Sequence, residues 1–391
     1  MSADVSLGLL QGYPAHLVER GWDVHVVSSP GRRLAELGGE PGVTVHALAM
    51  ERDPSPLRDL VSLLRWVGLL WRLRPDTVYV GTPKAGLLGT LAAVLVGVAH
   101  RVYILRGLRF ETTQGLTRQL LVILERLTAA GAHVVVAVSP SLRDRALESG
   151  IGTDEKVRVL GRGSSNGVDT THFDRGRVSE EQRRRLAADL GLDPDRPVVG
   201  FVGRLGADKG LHDLAAAHHQ LEDDGVPHQL LVVGPVEDGG AALRAFGDRP
   251  DALVRTGAVP DTAPYYALMD VLVLPTRREG FPNVVLEASA SSVPVITTDA
   301  TGAVDSVVDG QTGQIVPVGD PAALADAVAT LLADPAAGRR MGRQGRELVL
   351  ASFERTRFWD YVDELLEGPP PPSEATRVST SSQAATNRSM P

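Results

Sequence analysis

Short runs of apolar, β-branched residues alternate with longer amphipathic segments along most of the chain, in two successive series. The first series predicts strands at 23–28, 43–47, 77–81, 101–105, 133–139 and 157–160. The second series predicts strands at 198–202, 229–233, 252–256, 271–275 and 293–297. Strands that alternate with helices favour parallel sheets covered by helices on both faces. We therefore predict an α/β fold of two doubly wound domains that face each other across a cleft.

The amphipathic segments between these runs predict the helices. They lie at 55–73, 112–130, 209–222, 239–246, 262–269 and 283–291, and three more follow residue 320, the last at 354–366. Sequence rich in Arg, Glu and Asp replaces the apolar pattern between 174 and 195 and marks the domain boundary. We assign an N-terminal domain to 1–175, a C-terminal domain to 190–350, a helix that packs back on the N-terminal domain to 351–367, and a disordered tail to 368–391.

The beginning of the chain departs from this pattern. Segment 7–19 predicts the first helix, bent at Pro14, and it leads directly to the strand at 23–28. A doubly wound domain normally opens with an apolar strand ahead of its first helix. We expect that this central strand lies outside the given sequence, because of a misplaced initiation codon or a trimmed start. An impaired protein is the alternative.

Composition narrows the class of protein. A length of 391 residues fits two to three domains, and a net charge of −8 gives no overall attraction to nucleic acid. The absence of cysteine excludes disulfides, thiolate metal sites and a cysteine nucleophile. No signal peptide is apparent, and no run reaches the roughly 18 to 20 apolar residues of a membrane span. We expect a cytoplasmic protein, and the histidines show no spacing typical of a metal site.

Two carboxylates, Glu279 and Glu287, stand eight positions apart with Gly280 and Pro282 between them. Glu279 falls just before a predicted helix and Glu287 about two turns inside it, a rise of about 12 Å along one face. Free amides at the start of that helix attract an anion. A nucleotide sugar, with hydroxyls at both ends and phosphates between them, suits this layout. A surface helix with scattered acids is the alternative, which the apolar neighbours of Glu287 disfavour.

Two cations follow the predicted strand at 198–202. Arg204 and Lys209, with Gly203 before them, lead from that strand into a predicted helix. Open α/β sheets bind ligands at the carboxyl ends of their strands. Arginine grips phosphate oxygens in a fork and lysine adds a point charge, so the pair suits a diphosphate. Solvated turn residues are the alternative interpretation.

Three segments in this order, 203–210, 279–287 and 301–313, resemble the motifs of the retaining, two-domain glycosyltransferases of family four. Four upstream segments are similar to the capsular-polysaccharide and lipid-linked-oligosaccharide branch of that family, namely 81–86, 106–111, 139–141 and 163–169. The resemblance extends from about residue 5 to about residue 366. It implies the GT-B fold, in which two Rossmann-like domains face each other across the active-site cleft.

The resemblance also implies roles for individual residues on the donor side. Arg204 and Lys209 would hold the diphosphate, Glu287 would bind the ribose, and Glu279 would contact the donor sugar near its reacting carbon. The remaining donor-binding residues would be Gly203, Phe281, Pro282, Asn283 and Val284, of which proline offers no amide.

On the opposite side of the cleft the resemblance is less complete. Arg106 stands where many relatives have a histidine that donates a hydrogen bond to the donor sugar, so this chain keeps a donor but loses the neutral state. Lys84 and Glu111 lie on the same side and could meet the acceptor.

The reaction implied is transfer of a hexose or N-acetylhexosamine, with retained anomeric configuration, from a nucleotide-diphosphate sugar that is most often UDP-linked. The acceptor would be a hydroxyl of a lipid-linked sugar, a polysaccharide or a natural product, and neither a cofactor nor a metal ion would be needed. A nucleotide-sugar 2-epimerase of the same shape and a non-catalytic binding or scaffold subunit are the alternatives.

A basic segment at 58–74 carries Trp66 and Trp71 among leucines and arginines. The resemblance implies a peripheral membrane contact through such a helix, at the inner face of the membrane where a lipid-linked acceptor resides. A helix that buries its apolar face in the core is the alternative.

Overall fold

The computed structural model describes residues 4–51, 55–237, 240, 242–247 and 253–367. The strands are β1 (Val24–Ser28), β2 (Val43–Ala47), β3 (Thr77–Gly81), β4 (His100–Leu105), β5 (Val134–Ala137), β6 (Val157–Arg158), β7 (Val198–Val202), β8 (Gln229–Val233), β9 (Leu253–Gly257), β10 (Val271–Leu274), β11 (Val295–Thr298) and β12 (Gly313–Val316). The α-helices are α1 (Tyr13–Glu19), α2 (Arg32–Leu37), α3 (Pro56–Leu73), α4 (Pro83–Val96), α5 (Gly115–Gly131), α6 (Pro140–Glu148), α7 (Glu180–Asp189), α8 (Leu211–Asp223), α9 (Ala263–Tyr266), α10 (Asn283–Ala290), α11 (Pro321–Ala333), α12 (Pro335–Ser352) and α13 (Arg355–Leu366).

A parallel six-stranded sheet forms the centre of the C-terminal half, in the order β12-β11-β10-β7-β8-β9. Every residue of β7, β8, β10 and β11 is buried, as expected when helices cover both faces of a sheet. α8 packs with α11, and α10 packs with α12. The strand order reverses beside β7, whose neighbours are β10 and β8. Such a reversal opens a crevice at the carboxyl ends of the strands.

Most predicted strands of this half agree with the structure, and β7 and β8 agree at both ends. The predicted helix 209–222 is wrong at its start, because Gly210 adopts a φ of 71° and separates α8 from the short 3₁₀ turn Ala207–Lys209. The predicted helix 262–269 is only four residues long in the structure, as α9. Of the predicted helix 239–246, the structure describes the 3₁₀ segment Ala242–Phe246, and residues 239 and 241 lie outside the described part, as does residue 252 of a predicted strand.

The N-terminal half contains two separate parallel sheets. β1 pairs with β2, and β3, β4, β5 and β6 pair in that order. The core is divided in the same way, since a small cluster around β1 and β2 stands apart from the large cluster that fills the rest of the molecule. Among the described residues, no strand joins β1 to β3.

The first helix differs from its prediction. Instead of one helix over 7–19 bent at Pro14, a 3₁₀ helix covers Asp4–Leu10 and α1 begins at Tyr13. Gly12, with a φ of 79°, separates the two segments. Pro14 lies in the first turn of α1, where a missing amide hydrogen leaves no helical bond unmade, so it starts the helix and does not bend it.

The last helix, α13, lies against the N-terminal half. Its Asp363 accepts a 3.0 Å hydrogen bond from the Tyr13 hydroxyl, and the Trp359 indole donates to Asn166 at 2.8 Å. Both contacts are buried. The predicted disordered tail at 368–391 lies outside the described residues. Within the described part of the chain, no helix is both long and apolar enough to cross a bilayer.

Candidate active site

The loops that follow β7 and β10 meet at the reversal of strand order. Gly210 lies so close to the end of β10 that a Cβ atom there would sit 1.8 Å from the carbonyl oxygen of Pro275. Its φ of 71° is also in the left-handed region, so glycine fits this position on both counts. The close approach brings the segment 203–210 against the segment 275–282, and with them most of the residues predicted for the donor side.

Lys209 and Glu279 form an ion pair across these two loops, with Lys209 Nζ donating to Glu279 Oε1. Both side chains are mostly buried, at 14% and 15% exposure. The Thr276 hydroxyl lies 3.4 Å from the same carboxylate oxygen. Two residues predicted to touch different parts of a ligand therefore lie side by side, and a substrate that contacts this pair would meet a cation and a carboxylate at once.

Arg204 is paired with two acids that the sequence analysis did not single out. Its Nη1 donates to Glu237, and its Nη2 lies 3.4 Å from Asp208, which also lies 3.5 Å from Arg278 Nη2. A diphosphate could take the place of these carboxylates without leaving the guanidinium unpaired. Asp208 could have been suspected from the sequence, because it stands in the same loop, whereas Glu237 follows a different strand.

Glu287 lies in the fifth position of α10, one turn from its start and not two as predicted. Its Oε2 accepts a 2.7 Å hydrogen bond from the Tyr266 hydroxyl, and the Thr262 hydroxyl lies at 3.5 Å. Burial raises the pKa of Glu287, and these hydrogen bonds act in the opposite direction. Tyr266 was not predicted as a site residue; it stands in the middle of the predicted helix 262–269 and at the end of α9 in the structure.

The start of α10 lies between the two glutamates. Pro282 is its N-cap residue, and Phe281 is buried against Phe353 with the ring centroids 5.4 Å apart. Asn283 begins the helix, and its buried Oδ1 has no hydrogen-bond partner among the described residues. Val284 follows on the first turn and is partly buried. The first amides of an eight-residue helix therefore directly follow the loop that carries Glu279.

Arg106 comes from the N-terminal half and touches the same loop. A Cβ atom on Gly280 would lie 2.2 Å from the Arg106 carbonyl oxygen, so the two backbones are in contact. The Arg106 Nη1 donates to the Ser165 carbonyl at 3.0 Å, while Nε and Nη2 are buried with no hydrogen-bond partner among the described residues. Burial lowers the pKa of this guanidinium.

Hydrogen bonds also tie the two halves together beside the cleft. Glu111 accepts a 2.8 Å bond from the Thr301 hydroxyl, and the Gly302 amide donates to the Ser141 hydroxyl at 2.8 Å. Asp305 accepts from both the amide and the hydroxyl of Ser141. Both Ser141 and Asp305 lie in segments that resemble family motifs, but their contact could not be predicted from those segments.

Lys84 lies in the first turn of α4, and its Nζ donates to Asp59 of α3 at 2.8 Å. The structure thus places it in an ion pair between two helices of the N-terminal half. Its predicted role on the acceptor side stays a prediction.

Unsatisfied polar atoms gather at this junction. Of eleven buried side-chain atoms that have no partner in the described part of the protein, five belong to Arg106, Glu111, Arg278 and Asn283. Buried polar groups are normally hydrogen-bonded, so a cluster of unpaired ones is typical of a ligand-binding site. Among the described residues, no group of three or more His, Asp or Glu side chains could hold a metal ion.

The two facing Rossmann-like halves, with this site at the edge of the C-terminal sheet, define a glycosyltransferase of the GT-B fold. Residues 11–163 match the family described as "Glycosyl transferase 4-like domain", and residues 196–334 match "Glycosyl transferases group 1". Over 365 residues the chain is 36% identical to the capsular polysaccharide biosynthesis glycosyltransferase CapM of Staphylococcus aureus. The aligned region covers 92% of this chain and 93% of CapM. The chain therefore belongs to the group 1 glycosyltransferases.

Solved structures agree on the fold. Sucrose-phosphate synthase from Thermosynechococcus elongatus superposes with a TM-score of 0.77 at 22% identity, over 91% of both chains. HepE from Anabaena, solved in complex with UDP-glucose, superposes with a TM-score of 0.76 at 19% identity, over 94% of this chain and 96% of HepE. They confirm the predicted fold class, while the family matches and CapM confirm the predicted family and the prediction of a transferase.

Proposed function

We propose that this glycosyltransferase moves a hexose or N-acetylhexosamine from a UDP-sugar to a hydroxyl acceptor during polysaccharide or glycolipid synthesis, with retention of anomeric configuration. The observation that carries the proposal is the Lys209–Glu279 pair at the reversal of strand order, with Arg204 in the same loop and the start of α10 beside it. CapM, a relative that acts in capsular polysaccharide biosynthesis by its name, supports the polysaccharide assignment. The complex of HepE with UDP-glucose supports the choice of nucleotide.

In the bound state, Arg204, Lys209 and the first amides of α10 would hold the diphosphate. A diphosphate brings about two negative charges to two cations whose present partners are carboxylates, so it would compete with Asp208, Glu237 and Glu279. The carboxylate of Glu287 would accept hydrogen bonds from the ribose hydroxyls. The Tyr266 hydroxyl would hold one carboxylate oxygen of Glu287 in position for these bonds.

In the transfer step, the bond between the anomeric carbon and the diphosphate breaks and a bond from that carbon to the acceptor oxygen forms. The acceptor proton passes to the departing phosphate oxygen on the same face of the sugar. Arg204, Lys209 and the helix amides stabilise the charge that develops on the leaving diphosphate. Glu279, held by Lys209, would orient the sugar and would not form a covalent bond to it.

Calorimetric titration with UDP-glucose, UDP-N-acetylglucosamine and GDP-mannose tests donor binding. Hydrogen bonds to a charged group contribute about 1.5–3 kcal/mol, so Glu287→Ala should weaken UDP-sugar binding by roughly 10- to 100-fold. Glu347→Ala, at an exposed position of α12, is the matched control. Equal donor affinity in wild type and Glu287→Ala would remove Glu287 from the site.

Product analysis by NMR separates the remaining alternatives. A glycoside with the donor's anomeric configuration supports retention, and a sugar nucleotide inverted at carbon 2 would identify an epimerase. Donor binding without turnover on lipid-linked and soluble acceptors would favour a binding subunit. Parallel reactions with and without EDTA test the metal independence that the family resemblance implies.

We also propose a peripheral membrane contact for a lipid-linked acceptor, through the outer faces of α3 and α5. α5 exposes an apolar stripe, in which Leu116 is 83% exposed and Leu120, Ile123 and Leu127 are about half exposed. On α3, Trp66 is buried in the core, whereas Trp71 is 66% exposed. α3 and α5 both pack against α4, so their outer faces share one side of the N-terminal half.

Charge favours an anionic bilayer as the partner of these faces. The exposed arginines are Arg58, Arg65 and Arg72 on α3 and Arg118 and Arg126 on α5. The acidic residues of the same helices, Asp59 and Glu125, are partly or fully buried. Apolar side chains flanked by arginines are typical of helices that lie in the interface of a membrane.

Flotation with phosphatidylglycerol vesicles tests the contact, with phosphatidylcholine vesicles as the uncharged comparison. We expect the wild type to float with the anionic vesicles, and Leu120→Ser combined with Ile123→Ser to reduce the bound fraction several-fold. Leu350→Ser removes an apolar side chain of similar exposure, 43%, from α12 and should have no effect. Equal flotation of all three proteins would show that these faces do not bind the membrane.

A further inference from the structure

A polar cavity lies at the edge of the C-terminal sheet opposite the candidate active site. Val198 and Gln229, the first residues of β7 and β8, line it, and so does Asp270, which directly precedes β10. Because these strands are parallel, their amino ends share one edge of the sheet, and the loops of the active site follow the other edge. About 670 Å³ inside the cavity is free of protein atoms, part of it open to solvent. The cavity is therefore separate from the predicted donor site.

One face of α7 forms the wall of the cavity opposite the sheet. The lining residues of α7 recur at positions i, i+3, i+4 and i+7, namely Glu180, Arg183, Arg184 and Ala187. Residues at this spacing share one side of a helix. α7 has no fully buried residue, whereas α8 and α10 bury several residues each. The space between α7 and the sheet therefore has room for a small polar molecule.

Arginines from three segments line this space, which we call the arginine cavity. They are Arg175 of the 3₁₀ turn Arg175–Arg177, Arg183 and Arg184 of α7, and Arg196 of the loop before β7. Three acids share the lining, so four arginines leave it with a net charge of +1. Glu180 pairs with both arginines of α7. Asp193 and Asp270 each accept a hydrogen bond from a backbone amide.

Two of these arginines have only neutral partners. Arg175 Nη1 donates to the Met269 carbonyl at 3.5 Å, and Arg196 Nη2 donates to the His228 carbonyl. Neither guanidinium forms an ion pair with another described residue, although both side chains are partly buried. A partly buried cation without an acidic partner is unfavourable, because it has lost water and gained no opposite charge.

The charges of Arg175 and Arg183 also repel each other. Burial lowers the pKa of Arg175 and the neighbouring Arg183 lowers it further, while Asp270 and Glu180 act in the opposite direction. The Nε of Arg183 is buried and has no hydrogen-bond partner among the residues that the structure describes. An anion between the two guanidinium groups would replace this repulsion by attraction and would accept the unmade hydrogen bond.

We propose that the arginine cavity binds a phosphate group, held by Arg175, Arg183 and Arg196. A guanidinium group donates two parallel hydrogen bonds to phosphate oxygens. The three arginines approach from three separate segments, and a tetrahedral group with three free oxygens can contact all of them. A carboxylate has only two oxygens. Free phosphate, diphosphate and the terminal phosphate of a nucleotide share this chemistry.

The bound phosphate would fix the segment that joins the two halves of the protein. Arg175 follows Asp174, whose carboxylate pairs with Arg346 of α12 at 2.8 Å. Beyond this ion pair, α7 contributes only exposed and partly exposed side chains. A phosphate that connects Arg175 and Arg183 to Arg196 would hold the 3₁₀ turn and α7 against the C-terminal sheet. This inference does not depend on the proposed donor or acceptor.

Calorimetric titration with diphosphate tests the cavity in a protein that carries Arg204→Ala and Lys209→Ala, which removes the cations of the proposed donor site. We expect this protein to bind diphosphate. Adding Arg175→Gln and Arg183→Gln should weaken the binding about tenfold or more, because hydrogen bonds to charged groups are lost. Acetate at the same ionic strength should give no comparable heat.

The matched control adds Arg177→Gln and Arg185→Gln to the same protein. These two arginines are exposed, lie on the same 3₁₀ turn and the same helix, and do not line the cavity. The control removes the same number of charges and should bind diphosphate as tightly as the starting protein. Equal affinities in the control and in the variant with Arg175→Gln and Arg183→Gln would overturn the proposal, as would the absence of heat in the starting protein.

Hydrogen exchange of the unmodified protein gives a second test, which needs no substitution. Diphosphate should slow exchange of the amides at 175–189 several-fold, and these are measured separately from the donor loop at 203–210. Unchanged exchange at 175–189 would contradict the proposal. UDP is compared with diphosphate in the protein that lacks Arg204 and Lys209. Binding of both compounds supports a phosphate site, and the tighter one identifies the source of the phosphate, whereas binding of UDP alone would refute recognition through phosphate.

Discussion

Glu125 gives the clearest quantitative prediction, because it is an ionisable group inside the N-terminal half. It lies on α5, is only 6% exposed, and accepts a 2.8 Å hydrogen bond from the Tyr103 hydroxyl of β4. Burial raises the pKa of Glu125 from 4.5 to about 7, although the hydrogen bond from Tyr103 acts in the opposite direction. The residue therefore keeps its proton in the folded protein at pH values where the unfolded chain has lost it.

The sign and size of the effect follow from proton linkage. Between pH 4.5 and pH 7 the folded state binds one more proton at this site than the unfolded state, so stability falls as the pH rises through that window. The difference of 7 − 4.5 = 2.5 pKa units corresponds to about 3 kcal/mol. Glu125→Gln keeps the shape of the protonated acid and cannot ionise. We expect it to be more stable than wild type by up to about 3 kcal/mol at pH 8 and by little at pH 4.5.

Urea unfolding followed by tryptophan fluorescence at pH 4.5, 6, 7 and 8 measures this difference. Glu148→Gln, at a 65% exposed position of α6, is the control and should show a small difference at every pH. If the stability difference between Glu125→Gln and wild type did not change with pH, Glu125 would titrate normally and the argument from burial would be wrong.

Two further predictions concern the active site. Tyr266→Phe should weaken UDP-glucose binding. It should also raise the pH at which binding is lost in acid, because the Tyr266 hydroxyl lowers the pKa of Glu287. Calorimetry between pH 5 and 8 measures both effects with Tyr265→Phe as the control, and an unchanged pH profile would refute the prediction. Ser141→Ala removes hydrogen bonds to Asp305 and Gly302 across the cleft. At about 1 kcal/mol per bond it should lower kcat/KM several-fold. Wild-type kinetics would show that these bonds between the two halves do not support turnover.

Much of the fold could be predicted from the sequence, because it depends on local pattern. The strands at 43–47, 77–81, 198–202 and 229–233 agree with the structure at both ends. Each is a short run rich in apolar and β-branched residues. The runs at 198–202 and 229–233 are also buried on both faces, which leaves little choice of conformation. The parallel architecture follows from the alternation with helices.

The residues that form the site could be predicted only in part from the sequence. Lys209 and Glu279 could be picked out because each stands in a loop after an apolar strand, yet their contact joins residues 70 positions apart. The partners of Arg204 and Glu287 were missed, since Glu237 and Tyr266 are brought to them by the order of strands in the sheet. No local pattern encodes that order.

Local patterns in the sequence were enough to predict which segments are strands, which loops carry cations and acids, and which family the chain resembles. Only the folded chain showed the pairing of charges, the position of Glu287 one turn into α10, the exposure of Trp71 beside a buried Trp66, and the separation of the β1–β2 pair from the sheet that begins at β3. The difference comes from the range over which each effect acts. Apolar periodicity acts within a few neighbouring residues, whereas ion pairs, burial and strand edges depend on segments that meet only once the chain has folded.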